Sequence, residues 1–334
     1  IVFFLALARV FLVRRAFVRP WNVLLAVFRV LDRIMNRLNR FAGDILLVRD
    51  RGVFPDDDPV AWRERTKKAV GKVHYLFRIF VVLEVPVLGV VTLLMMSPRP
   101  YYGAQSEVLT GILLTLWAVV ALLFTVLGAN TIAHERMQQT LDVLLTTPLS
   151  GREILRQKLH GLRRLMFVFM VVLVTLITAE MWWEKGLAGY RGRVSTAVYM
   201  TTSLACLLLY LPMLLWFSLL LGLWIKARVR AILAAVIGLV AWIVLPLILL
   251  VVVGEVLHPR GDWDEVGAYW ALFSPVTLLV MNEIGETGRL FRETGPWAAL
   301  IANSLLYGSL LGLFRWLCLS RADRLLGRIR DPGA

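Results

Sequence analysis

Six stretches of this chain are long and apolar enough to cross a bilayer: 79–96, 108–133, 165–182, 198–225, 231–253 and 297–319. A hydrocarbon core about 30 Å thick demands about 20 consecutive apolar residues of a helix. There the backbone finds no water, and a helix satisfies its own N–H and C=O groups. The fold class that follows is an all-α polytopic membrane protein with six spans. Composition agrees, with 59% hydrophobic residues, 18% charged residues and a mean hydropathy of +0.72. Soluble domains carry about a quarter charged residues.

The net charge of +14 is not spread evenly. Segments 1–78, 134–164, 226–230 and 315–334 alternate with the spans and hold 30 of the 37 Lys and Arg residues, for a net +18. The intervening outer connections, with Glu180 at the outer end of the third span counted among them, carry net −3, and Glu84 lies inside the first span. This is the positive-inside pattern, which places the region before residue 79 and the C-terminus in the cytoplasm. It accounts for the high pI without nucleic acid as a partner. Cys206 and Cys318 sit singly in apolar runs, and four scattered histidines show no metal-ligand spacing.

The apolar run at 1–13 lacks a basic leader and a small-residue cleavage site, and reads as the tail of an earlier span. After it, Leu24, Phe28, Leu31, Met35 and Leu38 recur at helical spacing, opposite Arg29, Arg33, Arg37 and Arg40. Such an amphipathic helix either lies on an anionic membrane face, docks on a partner or packs on the membrane domain itself. At Asp58-Pro59 a helix start follows, with the aspartate as cap and the proline at the first position. Between the last two spans the apolar stretch YWALFSPVTLLVMN is too short to cross and is broken by Pro275. It is either re-entrant, interfacial or a small packed cap on the outer face.

The polar segment ERMQQTLDVLLTTPLSGREILRQK, 135–158, separates the second and third spans. Met137, Leu141, Leu144 and Leu145 share a helical face, and Pro148 ends that helix near Thr147. Ser150 and Glu153 then form a capping box that starts a new helix. The physics describes a short amphipathic helix, a stiff Thr-Pro-Leu-Ser corner and a helix running into the third span. That is either a mechanical handle for a cytoplasmic partner or an interfacial re-entry helix.

This segment resembles the signature of ABC-2-type permeases, E-R-x-x-G-T-L-E-x-L-L-x-T-P-L-S-x-x-E-I-x-x-x-K. Glu135, Arg136, Thr140, Leu141, Leu144, Leu145, Thr147, Pro148, Leu149, Ser150, Glu153, Ile154 and Lys158 match it. Gln139 stands in place of the usual Gly, and Asp142 in place of Glu. The likeness spans about 58–321, including DPVAWRERTKK, which is similar to the family's elbow helix (about 58–78); residues 1–57 precede it and 322–334 form a tail. The resemblance implies a six-helix ABC-2-type transmembrane domain of an exporter in the bacterial inner membrane. It implies that 135–153 carries the coupling helix gripped by a separate ATPase subunit, which uses ATP and Mg. Pairing with a second permease half or a second copy is expected with it.

The chain has no G-x-x-x-x-G-K-[ST], H-E-x-x-H or G-x-S-x-G, so the reading is a transport subunit without its own ATPase site or bound cofactor. Glu84, one to two turns inside the first span, either lines a translocation path or pairs with His74, Arg78 or another cytoplasmic-side cation. Asn130 is a second path candidate, or a helix–helix hydrogen bond. Two rivals remain: a membrane-bound enzyme acting on lipid-linked substrates, for which Asp56, Asp57 and Asp58 are the one tight acidic run, and a scaffold anchored through 14–78.

Overall fold

The computed structural model describes residues 59–66, 73–96, 102–186, 196–257, 264–285, 287–291 and 294–328. The expectations for the run at 1–13, the helix at 24–40, the Asp58 cap and the last tail residues lie outside these. The elements are α1 (Pro59–Thr66), α2 (Val73–Met96), α3 (Tyr102–Met137), α4 (Thr140–Leu145), α5 (Gly151–Gly186) and α6 (Thr196–Trp224). They continue as α7 (Arg228–Leu257), α8 (Asp264–Ala271), α9 (Pro275–Ile284), α10 (Thr287–Leu290), α11 (Pro296–Ser320) and α12 (Ala322–Leu326). No strand occurs among the described residues. Six of these helices are long and apolar enough to span a membrane, with spans at Leu76–Met96, Glu107–Met137, Gly151–Trp182, Thr196–Trp224, Arg228–Val252 and Pro296–Ser320. The chain is a multi-pass membrane protein.

Each span corresponds to one of the six apolar runs, and the largest difference is in the third. Hydropathy starts it at Leu165, whereas α5 begins at Gly151. Ile154, Leu155 and Leu159 are fully buried while Arg152, Glu153 and Arg156 are exposed, so one buried face extends the helix beyond the apolar stretch. At the far end, Glu180, which falls with the outer acidic residues when charges are tallied by segment, is a buried member of α5.

Helix α6 is the most enclosed of the six spans, and α2 and α7 are the least. Its closest neighbour is α3, and small residues make that approach possible. A Cβ on Gly222 would lie 2.4 Å from the carbonyl oxygen of Ala129, and one on Gly128 would lie 2.0 Å from Ser218 Oγ. Towards the middle of the bundle an aromatic seam joins α6, α7 and α11. Tyr210 and Tyr307 stand 4.8 Å apart, Trp242 packs on Phe217 at 5.4 Å and on Phe314 at 5.8 Å, and Tyr210 donates to Asn303 Oδ1 at 2.9 Å.

The interrupted apolar stretch forms α8 and α9, joined by a turn at 272–274. Ser274 Oγ donates to the carbonyl of Ile243 at 2.9 Å, and Tyr307 donates to the carbonyl of Phe273 at 2.8 Å. Ile243 lies about 22 Å along α7 from its start at 1.5 Å per residue, so the turn reaches well into the depth of the spans. This favours the re-entrant reading over a surface cap. Irregular backbone at that depth is tolerated because protein groups satisfy it. Helix α9 is held by a buried polar cluster: Asn282 donates to Ser203 Oγ at 2.8 Å, and Tyr199 donates to Glu283 Oε2 at 3.0 Å. Glu180 accepts from Thr110 on α3 in the same cluster.

The α3–α6 contact makes a direct prediction. Gly222→Ala forces backbone against backbone and should cost about 1–3 kcal/mol, as overpacking does. Gly128→Ala should cost less, because the Ser218 hydroxyl can rotate away. Thermal unfolding of both variants in the same detergent checks the order.

Candidate functional site

The segment between α3 and α5 is a corner built from local rules. Helix α3 ends at Met137, and the chain turns through Gln138 and Gln139, whose amides bond back to the carbonyls of His134 and Arg136. Gln139 has φ 56° and ψ 15°, the one non-glycine residue with positive φ among the described residues. A Cβ disfavours this left-handed conformation and glycine does not, so Gln139 stands where a glycine would sit without strain. Helix α4 follows for six residues, with Leu141 and Leu144 buried and Asp142 and Val143 exposed. Its last carbonyls are met by hydroxyls: Thr146 donates to Val143 O at 2.8 Å and Thr147 to Leu144 O at 2.6 Å. The capping box at the start of α5 is formed. The amide of Ser150 donates to Glu153 Oε2 at 2.8 Å, and the amide of Glu153 donates to Ser150 Oγ at 3.4 Å.

One buried carboxylate fastens this corner. Glu135 Oε1 accepts from Lys158 Nζ at 2.6 Å, with the two side chains 4% and 1% exposed, and Oε2 accepts from Thr140 at 2.5 Å. Glu135 thus links the end of α3 to the first residue of α4 and to the second turn of α5. Beside Lys158, Gln157 Oε1 accepts the amides of Val60 at 3.0 Å and Ala61 at 3.3 Å, capping α1 from α5.

Arginines close the helix ends that meet here. Arg136 donates to the carbonyl of Leu223 at 3.0 Å, in the last turn of α6, and to that of Leu325 at 2.6 Å, at the end of α12. Arg152 Nε donates to Leu319 O at 3.0 Å, in the last turn of α11. Arg328 bonds the carbonyls of Thr147 and Leu149 in the corner itself. Helix C-terminal carbonyls lack partners and carry partial negative charge, so cations stabilise them. In the opposite sense, Asp323 Oδ1 accepts the amide of Gly151 at 2.8 Å, at the N-terminus of α5.

The residues singled out from the pattern differ in exposure. Glu135, Leu141 and Leu144 are buried; Arg136, Thr140, Leu145, Thr147 and Ser150 are half-buried; Pro148 and Glu153 are exposed. Glu135, Arg136, Thr140 and Lys158 hold the corner to its own chain, and the outward surface is formed by Asp142, Val143, Thr146 and Pro148. Lys158, Asp323 and Arg328 belong to the structure of the corner although their pairings cross 23 to 181 residues. Only the E-R…K spacing of the segment hints at the first of them. Elsewhere, Asn130 Oδ1 accepts from Arg228 Nε at 2.7 Å, a bond between α3 and α7. Glu84 is 7% exposed on α2, and its Oε2 has no hydrogen-bond partner among the described residues. Among the described residues no group of three His, Cys, Asp or Glu is placed to hold a metal ion. In comparison with known proteins, no family model matches the chain and no curated protein matches it.

Two substitutions test this geometry. Gln139→Gly removes the strain of the left-handed Cβ and should stabilise the protein by about 0.5–1 kcal/mol. Glu135→Ala takes the carboxylate away from the buried Lys158 ammonium and should cost about 3–5 kcal/mol, while Glu135→Leu with Lys158→Met should recover much of the loss. Apparent Tm in detergent reports both.

Proposed function

We propose that the chain is the transmembrane permease subunit of an ATP-binding-cassette exporter in the bacterial plasma membrane. The region before residue 79 and the C-terminus are cytoplasmic, and energy comes from a separate ATPase subunit that uses ATP and Mg. The observation that carries this reading is a short helix with an exposed outer face, locked by its inner face to the bundle. Displacement of α4 moves α3 and α5 together through Glu135, Thr140 and Lys158. Through Arg136 it also loads the ends of α6 and α12. Such a linkage has the form of a coupling element, since a push on it is passed to several spans rather than absorbed by a loop.

The resemblance of 135–158 to the ABC-2 signature supplies the identity of the driver. Two further features support it: the six spans, and the re-entrant α8–α9 hairpin between the last two. Large outward-facing apolar surfaces on α2 and α7 are compatible with pairing to a second permease half or a second copy as well as with lipid. Glu84 remains a candidate for the path, and Asn130 serves the α3–α7 contact.

The outer face of α4 is where the reading is tested. Val143→Asp should weaken association with a co-expressed nucleotide-binding subunit about tenfold or more, as loss of an interface anchor does. Permease-stimulated ATP turnover should fall with it, and membrane insertion and Tm should not change. Unchanged co-purification and turnover would overturn the assignment.

A further inference from the structure

A cleft of about 1080 Å³ opens beside the corner, at the junction between α6 and α7. Arg136, Lys226, Arg228, Arg230 and Arg324 line it, and no carboxylate does so among the described residues. Five cations around one cleft repel one another unless an anion is shared between them. Three of the five are engaged: Arg136 by helix-end carbonyls, Arg228 by Asn130, and Arg324 by an interaction of its own. Lys226 and Arg230 are exposed and have no hydrogen bond or ion pair within the described residues. The first turn of α7 also borders the cleft, adding the positive end of its dipole.

The remaining wall is apolar. Trp224 is 56% exposed and Val229 is 68% exposed, and both line the cleft at the ends of membrane spans. Tryptophan at a span end sits at the level of lipid head groups, and basic pockets between spans at that level suit anionic head groups. A free phosphate would use the cations and leave the apolar wall in water. We propose that this cleft binds the phosphate head group of an anionic lipid, with Lys226 and Arg230 on the phosphate and Trp224 and Val229 against the glycerol and first methylenes. The bound lipid would bridge α3, α6, α7 and α12. The inference stands apart from the transport reading, since it needs no ATPase.

The test uses the full chain in phosphatidylcholine nanodiscs, with and without phosphatidylglycerol. Wild type should gain several degrees of Tm from phosphatidylglycerol. Native mass spectrometry should show the lipid retained after detergent extraction. The Lys226→Gln/Arg230→Gln variant should lose both effects. Arg156→Gln/Arg321→Gln removes the same charge from exposed residues of the same end outside the cleft, and should keep both. Equal stabilisation of wild type and Lys226→Gln/Arg230→Gln would overturn the site, as would loss of the effect in both variants. An equal shift from inorganic phosphate or glycerol phosphate in pure phosphatidylcholine would overturn the lipid assignment. Circular dichroism establishes that each variant is folded before comparison.

Discussion

The buried pair of Glu135 and Lys158 is the interaction on which the basic end of this protein depends. Two charges at this depth have lost most of their water, and their attraction replaces it only while both are present. Apolar residues could fill the same volume at similar or greater stability, so the pair is weak evidence for stability as such. Its geometry supplies something else. The two carboxylate oxygens serve different helices, one toward α5 and one toward α4, and α3 carries the carboxylate itself. A directional contact of this kind holds three elements in one register, which a hydrophobic patch does less strictly.

Around that pair, basic residues have a structural use beyond membrane orientation. Helices α6, α11 and α12 all end near the corner, and each presents carbonyls without helical partners. Arg136 and Arg152 complete those ends, and Arg328 binds the carbonyls of the corner. The excess of cations at this end therefore includes groups with assigned hydrogen-bond acceptors. Others, such as Lys226 and Arg230 in the cleft, have none among the described residues.

Along the spans the helices are held together by different means. Backbone approach at Gly128 and Gly222 brings α3 against α6, and the aromatic seam carries the packing across to α7 and α11. The α8–α9 hairpin adds a buried cluster of Glu180, Tyr199, Asn282 and Glu283. Polar groups enclosed in apolar surroundings need partners, so these bonds fix how the hairpin seats.

Much of this architecture was legible in the sequence, because membrane spans and helix ends are local physics. Apolar length alone determines six helices, and Pro148 with the Ser150–Glu153 box determines where one helix stops and the next starts. The positive φ of Gln139, by contrast, is a backbone strain that no periodicity in the sequence announces. What only the tertiary structure decided involves partners far apart in the chain. The capping box places the start of α5, but hydropathy could not show that 151–164 is held by the buried face of Ile154, Leu155 and Leu159. Nor could it pair Arg136 with the ends of α6 and α12, Asp323 with Gly151, or Asn130 with Arg228, since side-chain reach to a distant backbone leaves no periodic trace. For the same reason the sequence could count the cations of the basic end, while only the packing of α3, α6, α7 and α12 gathered five of them around one cleft.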